Sequence, residues 1–201
     1  MATQSVVYVV DDDASVRKSL DRLIRSAGLS VETFASARDF LAGHRPDLPA
    51  CLLLDIEMPE ITGLELQKKL TALNQYLPII FITGFGNVPK SVQAMKAGAF
   101  DFLEKPFEAT TLLDTIHRAI HHDIQIRHQK QEFASIRKRS DSLTNREREV
   151  FELVAAGMLN KQIAFQLGIT EATIKLHRAR IMQKMGAQSL ADLVRLAERL
   201  K

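Results

Sequence analysis

The chain has one cysteine, Cys51, so it holds no internal disulfide, which suits a reducing compartment. Cys51 opens an apolar run and reads as a small buried residue at the start of a strand. No apolar run approaches the roughly 18 residues that span a bilayer. A secretory signal is not expected either: Met1–Ser5 is polar, and Val6–Val10 is too short for an apolar h-region and runs into Asp11, Asp12 and Asp13. The expectation is a cytoplasmic protein with no membrane partner. Net charge is small, +3 over 201 residues. It is not evenly spread. Residues 1–120 carry net −3, residues 121–141 net +2 and residues 142–201 net +4. A small basic C-terminal region suggests an anionic partner such as nucleic acid. The length allows one large domain or two small ones.

What is present begins with alternation. Apolar runs at Val6–Val10, Val31–Phe34, Cys51–Leu54, Ile79–Ile82 and Phe100–Leu103 are separated by helical patterns at Ser15–Ala27, Ser36–Leu41, Gly63–Leu73 and Pro89–Lys96, with another from Glu108. Strands alternating with helices predict βαβ units and a doubly wound, five-stranded parallel α/β sheet. Continuous apolar runs such as Cys51–Leu54 suit strands covered on both faces. Right-handed crossovers then bring the strand C-termini to one edge, where ligand chemistry sits. Residues 108–139 are helical in pattern. Leu112, Ile116, Ile120 and Ile124 form one buried stripe, and beyond Ile126 the pattern thins. The expected boundaries are a first domain over 1–122, a helical linker over 123–141 and a small all-α domain over 142–201. In the last, Thr144-x-x-Glu147 is a capping box, Gly157 closes that helix, Asn160 caps the next, and Gly168 sits in the turn before a third helix capped by Thr170.

Asp11 and Asp12 follow strand 1, Asp55 follows strand 3, Thr83 strand 4 and Lys105 strand 5. In strand order 2-1-3-4-5, strands 1 and 3 are neighbours at the switch point, so three carboxylates meet. Such a cluster repels itself and implies a bound cation or a raised pKa. Oxygen-only ligands favour Mg²⁺, Lys105 can hold a phosphoryl oxygen and Thr83 offers a hydroxyl. Asp13 reads as the N-cap of the first helix.

Together, Val10-Asp11-Asp12, Asp55-x-x-Met58-Pro59, Thr83-Gly84 and Lys105-Pro106 resemble the receiver domain of two-component regulators, over about residues 5–122. The resemblance implies a flavodoxin-like fold with Asp55 as phosphoryl acceptor. It implies Mg²⁺ (or Mn²⁺) bound directly by Asp12, through water by Asp11, and by Asp55 and the Glu57 carbonyl. Thr83 and Lys105 would sense the phosphoryl oxygens, Phe102 would move with Thr83, and Lys105-Pro106 would be cis. Glu57 and Phe85 stand where this family tunes hydrolysis, and the Phe85 ring is expected to slow it.

Ala164-x-x-x-Gly168 with Ile174 has helix-turn-helix spacing. The helix after it is expected to expose Lys175, His177, Arg178, Arg180 and Lys184, a density of cations that a phosphate-lined groove attracts. Residues 142–201 resemble the LuxR-type DNA-binding domain through Leu143-Thr-x-Arg-Glu147, Asn160-Lys161-x-Ile163-Ala164 and Thr173-Ile-Lys175-x-His177-Arg178. By position, Lys175 and Leu176 would face bases, Lys161, Arg178 and Arg180 phosphates or bases, and Thr173 and His177 backbone oxygens. Leu190, Leu193, Val194 and Ala197 would form a dimerisation face; on amphipathicity alone the stripe is as well explained as core packing.

The combined order resembles the NarL/FixJ class of response regulators, with FixJ-like features at Val88-Pro89, Met95–Ala99 and Glu104–Phe107. This implies a transcription factor that receives its phosphoryl group from a sensor histidine kinase, binds double-stranded promoter DNA as an activated homodimer and touches RNA polymerase. Catalysis would be limited to its own phosphorylation and dephosphorylation. Two alternatives stand beside it. Asp55-Ile-Glu57 resembles the nucleophile motif of haloacid-dehalogenase-type phosphatases, although those place Asp at the second position, on the first strand. The receiver could also dimerise without phosphorylation. His117 and His121, four apart, lack a third ligand at metal spacing and read as a solvated helix face.

Overall fold

The computed structural model of the chain describes residues 4–84 and 88–200, and of residues 88–91 the backbone alone. The chain forms two compact units that divide between Arg127 and His128.

In the first unit the valine-rich run Val6–Val10 forms β1, and Ser30–Phe34, Ala50–Asp55, Ile79–Thr83 and Asp101–Glu104 form β2 to β5. All four pairings are parallel, in the order β2-β1-β3-β4-β5. The period-2 alternation of strands splits the apolar residues between two faces. Val6, Tyr8, Val10, Leu52, Leu54 and Phe81 pack on one side. Val7, Val9, Cys51, Leu53, Ile80 and Ile82 pack on the other. The helices are α1 (Ala14–Ser26), α2 (Ala37–Ala42), α3 (Gly63–Ala72), α4 (Val88–Lys96) and α5 (Ala109–Asp141), the last contributing its residues up to Arg127 to this unit. Asp13 caps α1 as expected, accepting from the Ser15 amide at 2.7 Å. β5 begins one residue later than the apolar run suggests. Phe100 donates its amide to the Ile79 carbonyl (2.8 Å) and packs with the Val7 and Ile80 face, leaving Asp101 to open the ladder.

The α5 stripe is buried at Leu112, Ile116 and Ile120 and half-buried at Ile124. Below it, the carboxylate of Asp123, 1% exposed, accepts from the Ala50 amide (2.9 Å) and from Arg127 (2.7 Å). Two bonds to one oxygen compensate the burial of that charge and pin α5 to the start of β3.

The second unit holds the rest of α5 together with α6 (Asn145–Ala155), α7 (Asn160–Leu167), α8 (Glu171–Met185) and α9 (Leu190–Glu198). Its core includes Val150, Val154, Ile163, Ile174, Ile181 and Met185, and Ile136 of α5 is fully buried in it. Glycines at positive φ end the helices, at Gly157 and Gly168 as predicted and also at Gly186. The Thr144–Glu147 capping box forms. Asn160 does not cap α7: Leu159 occupies that position, its amide donating to Gln162 Oε1 at 2.8 Å. Asn160 instead lies inside the helix, where its side chain is free to accept from a neighbour. Among the described residues no helix is long and apolar enough to cross a membrane.

Candidate functional site

Parallel strands deliver their C-terminal residues to one edge, and the chemistry-bearing residues collect there. Asp11 follows β1, Asp55 ends β3, Thr83 ends β4 and Lys105 follows β5. Asp11 and Thr83 are buried and Asp55 nearly so. The Lys105 ammonium donates to Asp11 Oδ2 at 3.1 Å and to Asp55 Oδ1 at 3.2 Å. It is the cation that lets two buried carboxylates coexist. Burial pushes the Asp55 carboxyl above its usual range, Lys105 opposes that rise, and Asp11 adds to it. Burial alone would lower the Lys105 ammonium, but the two carboxylates outweigh it and hold it up.

The remaining bonds fix the side chains in place. Asp55 Oδ2 accepts from the Glu57 amide (3.0 Å), leaving the oxygen at Lys105 as the one turned to the pocket. Asp11 Oδ1 accepts from the Asp13 amide (2.8 Å). The Lys105 amide donates to the Thr83 carbonyl (2.7 Å), and Thr83 Oγ1 donates to the Gly84 carbonyl (3.2 Å). Lys105-Pro106 is cis. Phe102 is an exposed aromatic, 41% accessible. Phe85 lies outside the described residues.

Two neighbours carried no sequence signal. Arg17 on α1 donates to the Asp11 carbonyl at 2.7 Å. Gly63, the first residue of α3, lies so close beneath β3 that a Cβ there would sit 2.3 Å from the Asp55 carbonyl oxygen. Only glycine permits that approach.

Asp12 is exposed and lines a cavity with Glu57, Met58 and Thr62 beside Asp55. Among the described residues no three His, Cys, Asp or Glu side chains converge on one metal position. The donors at hand are carboxylate and carbonyl oxygens on a solvent-open cavity. That chemistry fits Mg²⁺, which keeps several waters and takes few protein ligands.

In the second unit α7 and α8 form a helix-turn-helix with Gly168 in the left-handed turn, φ 66°. Lys175, Leu176 and Arg180 are exposed on α8, and Lys161 is exposed on α7. Thr173, His177 and Arg178 are half-buried. Arg178 donates to Asn160 Oδ1 at 2.6 Å and so ties α8 to α7. Lys184, expected among the exposed cations, is instead bound to the buried Glu147 carboxylate (2.6 Å) and the Ser142 carbonyl (3.1 Å). An unpaired Glu147 at that depth would be costly, and Lys184 is the only cation paired with it among the described residues. Of the four residues expected on a dimerisation face, Leu193 and Ala197 are core residues of this unit. Their stripe packs against α6 and α8 because the small domain needs that apolar area for its own core. Leu190 is exposed and Val194 half-buried.

The response regulator receiver domain matches residues 7–117, more than half of the chain. The chain belongs to the response regulator family. Behind the receiver, the LuxR family of bacterial regulatory proteins matches residues 141–197. This response regulator is 46% identical to nodulation protein W of Bradyrhizobium diazoefficiens, over 99% of its own length and 88% of that protein's. It is 44% identical to the transcriptional regulatory protein FixJ of Rhizobium meliloti, covering 97% of this chain and 96% of that one. The solved structure of the response regulator StyR superposes with a TM-score of 0.87 at 48% identity, covering 98% of this chain and 99% of that one. A receiver joined to a LuxR-type DNA-binding domain is therefore the architecture of this protein.

Proposed function

We propose that this response regulator accepts a phosphoryl group on Asp55 from a sensor histidine kinase and then binds promoter DNA as a dimer to regulate transcription. The observation that carries the reading is the Lys105 ammonium set between Asp11 and Asp55 at the strand-end edge. Residues 1–122 would serve as the receiver, 123–141 as a helical linker and 142–201 as the DNA-binding domain. Asp11, Asp12, Asp55 and the Glu57 carbonyl would hold Mg²⁺, or Mn²⁺, which when bound neutralises charge on the phosphoryl group.

The chain's own residues do the rest. Asp55 attacks phosphorus in line, forming an acyl phosphate as the donor's P–N bond breaks. Lys105 turns from the carboxylates to a phosphoryl oxygen. Thr83 Oγ1 leaves the Gly84 carbonyl to donate to another, and Phe102 shifts into the space beside it. A local change of charge thereby biases a two-state surface. On DNA, Lys175 and Leu176 would face bases, Lys161, Arg178 and Arg180 the phosphates or bases, and Thr173 and His177 backbone oxygens. Arg178 reaches that position already oriented by Asn160. Leu190 and Val194 remain accessible for a dimer contact, and paired domains would read two half-sites. Contact with RNA polymerase and a cytoplasmic location belong to the same reading, as does the restriction of catalysis to the protein's own phosphorylation and dephosphorylation.

The test is selection from fragmented genomic DNA with and without Mg²⁺ and beryllium fluoride, followed by sequencing. A palindrome-like site enriched only in the activated sample is the expected result. Equal enrichment in both would overturn phosphorylation control, and no enrichment in either would overturn DNA binding.

A further inference from the structure

The edge of the sheet opposite the phosphoacceptor holds a cavity of about 430 Å³, lined among others by Tyr8, Leu41, Arg45, Leu48, Leu77 and Arg127. Its volume falls in the range of small-molecule sites, about 300–1,000 Å³. Two of its polar groups have unmet chemistry. Tyr8 lies mid-strand on β1 and is 2% exposed. Its ring is fixed edge-on to Phe40 (centroids 5.7 Å) and tilted to Phe34 (6.2 Å), so the hydroxyl is held in one place. That hydroxyl is buried without a hydrogen-bond partner among the described residues. Buried hydroxyls are rarely left so.

The second is Arg45. Its guanidinium stacks over the same Phe40 ring, 4.3 Å from the centroid, and donates to the Phe40 carbonyl (2.8 Å) and to Gln75 Oε1. It meets no carboxylate among the described residues, and these bonds leave several of its five N–H donors unused. Arg127, across the cavity, differs: two carboxylates pair with it, Asp123 and Asp47, and Asp47 also lines the cavity. Among the described residues Arg45 is thus the cavity cation without a carboxylate partner, and the Tyr8 hydroxyl is an orphan donor, next to apolar walls from Leu41, Leu48 and Leu77.

We propose that this cavity binds a small monocarboxylate with an apolar body, its carboxylate taken by Arg45 and the Tyr8 hydroxyl. Both donors are pre-positioned by Phe40, so little ordering accompanies binding. The walls come from β1, the start of β3, the loops after α2 and α3, and Arg127 of α5. A ligand there would bind the folded receiver and stabilise it by linkage.

The full chain would be titrated with acetate, hexanoate and cyclohexanecarboxylate, and with the matching amides, while amide ¹H–¹⁵N NMR shifts are followed. The expected result is saturable shifts at Tyr8, residues 43–48 and residues 75–77 for a longer acid. The neutral amide should bind about tenfold more weakly, and so should the acid to Tyr8→Phe or Arg45→Gln. Tyr8→Phe removes one oxygen only and keeps the test valid if Arg45→Gln unfolds. An unchanged beryllium fluoride response in the variants shows that the receiver is intact. Shifts that fail to saturate for all three acids, or affinities unmoved by Tyr8→Phe, would mean a cavity that holds solvent and would overturn the proposal.

Discussion

In the acidic pocket, charged groups are buried and joined across long stretches of chain: Lys105 meets Asp11, 94 residues away, and Asp55, 50 away. On α8 the cations lie within one helix, and Lys175 and Arg180 are exposed to solvent. The pocket works by tension between charges in a poorly solvated place, so a change at one residue alters the others. On the proposed reading the helix would work by accumulating separate contacts in a well-screened place, so its residues would act more nearly one by one. Breaking either site should reveal which rule it follows.

The largest effect is expected at Asp55. Asp55→Asn should abolish labelling by acetyl phosphate, read as loss of the retarded band on a phosphate-affinity gel. The same substitution should stabilise the metal-free protein. The folded-state pKa of Asp55 is raised, so the native state favours the neutral carboxyl, and ionisation at pH 7 weakens folding. The wild type should gain stability as pH falls through that raised pKa. Asn, which never ionises, should melt at a higher temperature than the wild type at pH 7. Labelling that survives, or a variant less stable than wild type at pH 7 without metal, would break the account of a strained pocket.

Next in size is the contrast on α9. Leu193 is 1% exposed and Leu190 46%. Leu193→Ala should cost about 3 kcal/mol through the cavity it leaves. Leu190→Ala should change stability by less than about 0.5 kcal/mol. If the exposed residue takes part in dimerisation, Leu190→Ala should lower the dimer fraction of beryllofluoride-treated protein in sedimentation equilibrium. Similar denaturation midpoints for the two variants would contradict the packing seen here.

The same contrast explains what could be read from the sequence. Strand order and the strand-end carboxylates were legible, because continuous apolar runs such as Cys51–Leu54 mark buried parallel strands and place Asp55 at a fixed edge. The Thr144–Glu147 capping box and the positive-φ glycines Gly157 and Gly168 were legible because they are local. Contacts that cross the fold were not. Nothing near Lys184 announces that Glu147 takes it out of the exposed set, and nothing near Asn160 announces Arg178. Ile136 sits in a largely polar stretch, yet the second unit buries it completely. Amphipathicity in α9 could not say whether its stripe faces its own core or another copy. Gly63 looked like an ordinary helix start, since the backbone that passes within 2.3 Å of its absent Cβ is eight residues earlier in the chain.

Glu147 tests coupling inside the DNA-binding unit. Lys184, then the Thr144 amide, hold its carboxyl down to about 2, against the opposing effect of burial. A depressed acid contributes stability that is fully present above its unfolded pKa and is lost as pH falls through the folded one. Glu147→Gln retains the capping-box acceptor but not the charge, and should cost about 1–2 kcal/mol at pH 7. The deficit should shrink as pH drops from about 5 towards 2, measured by urea denaturation of the second unit's transition. A deficit that stays constant with pH would assign the effect to packing instead of charge.

The smallest effects are expected on α8, and their shape matters more than their size. Arg180 is exposed and has no carboxylate partner among the described residues, so it is free to meet a phosphate. Arg180→Ala should weaken binding to cognate and unrelated DNA alike, and reduce the slope of log K against log salt by about 1. Lys175→Ala should cost about 1–3 kcal/mol on the cognate site and relax preference at one base pair. The double variant should show the sum of the two costs, because exposed cations five residues apart share no partner. Fluorescence anisotropy over a salt series on matched and mismatched duplexes resolves these quantities. A strongly non-additive double variant would show that α8 is coupled like the acidic pocket, and the contrast between the two regions would fail at its weaker end.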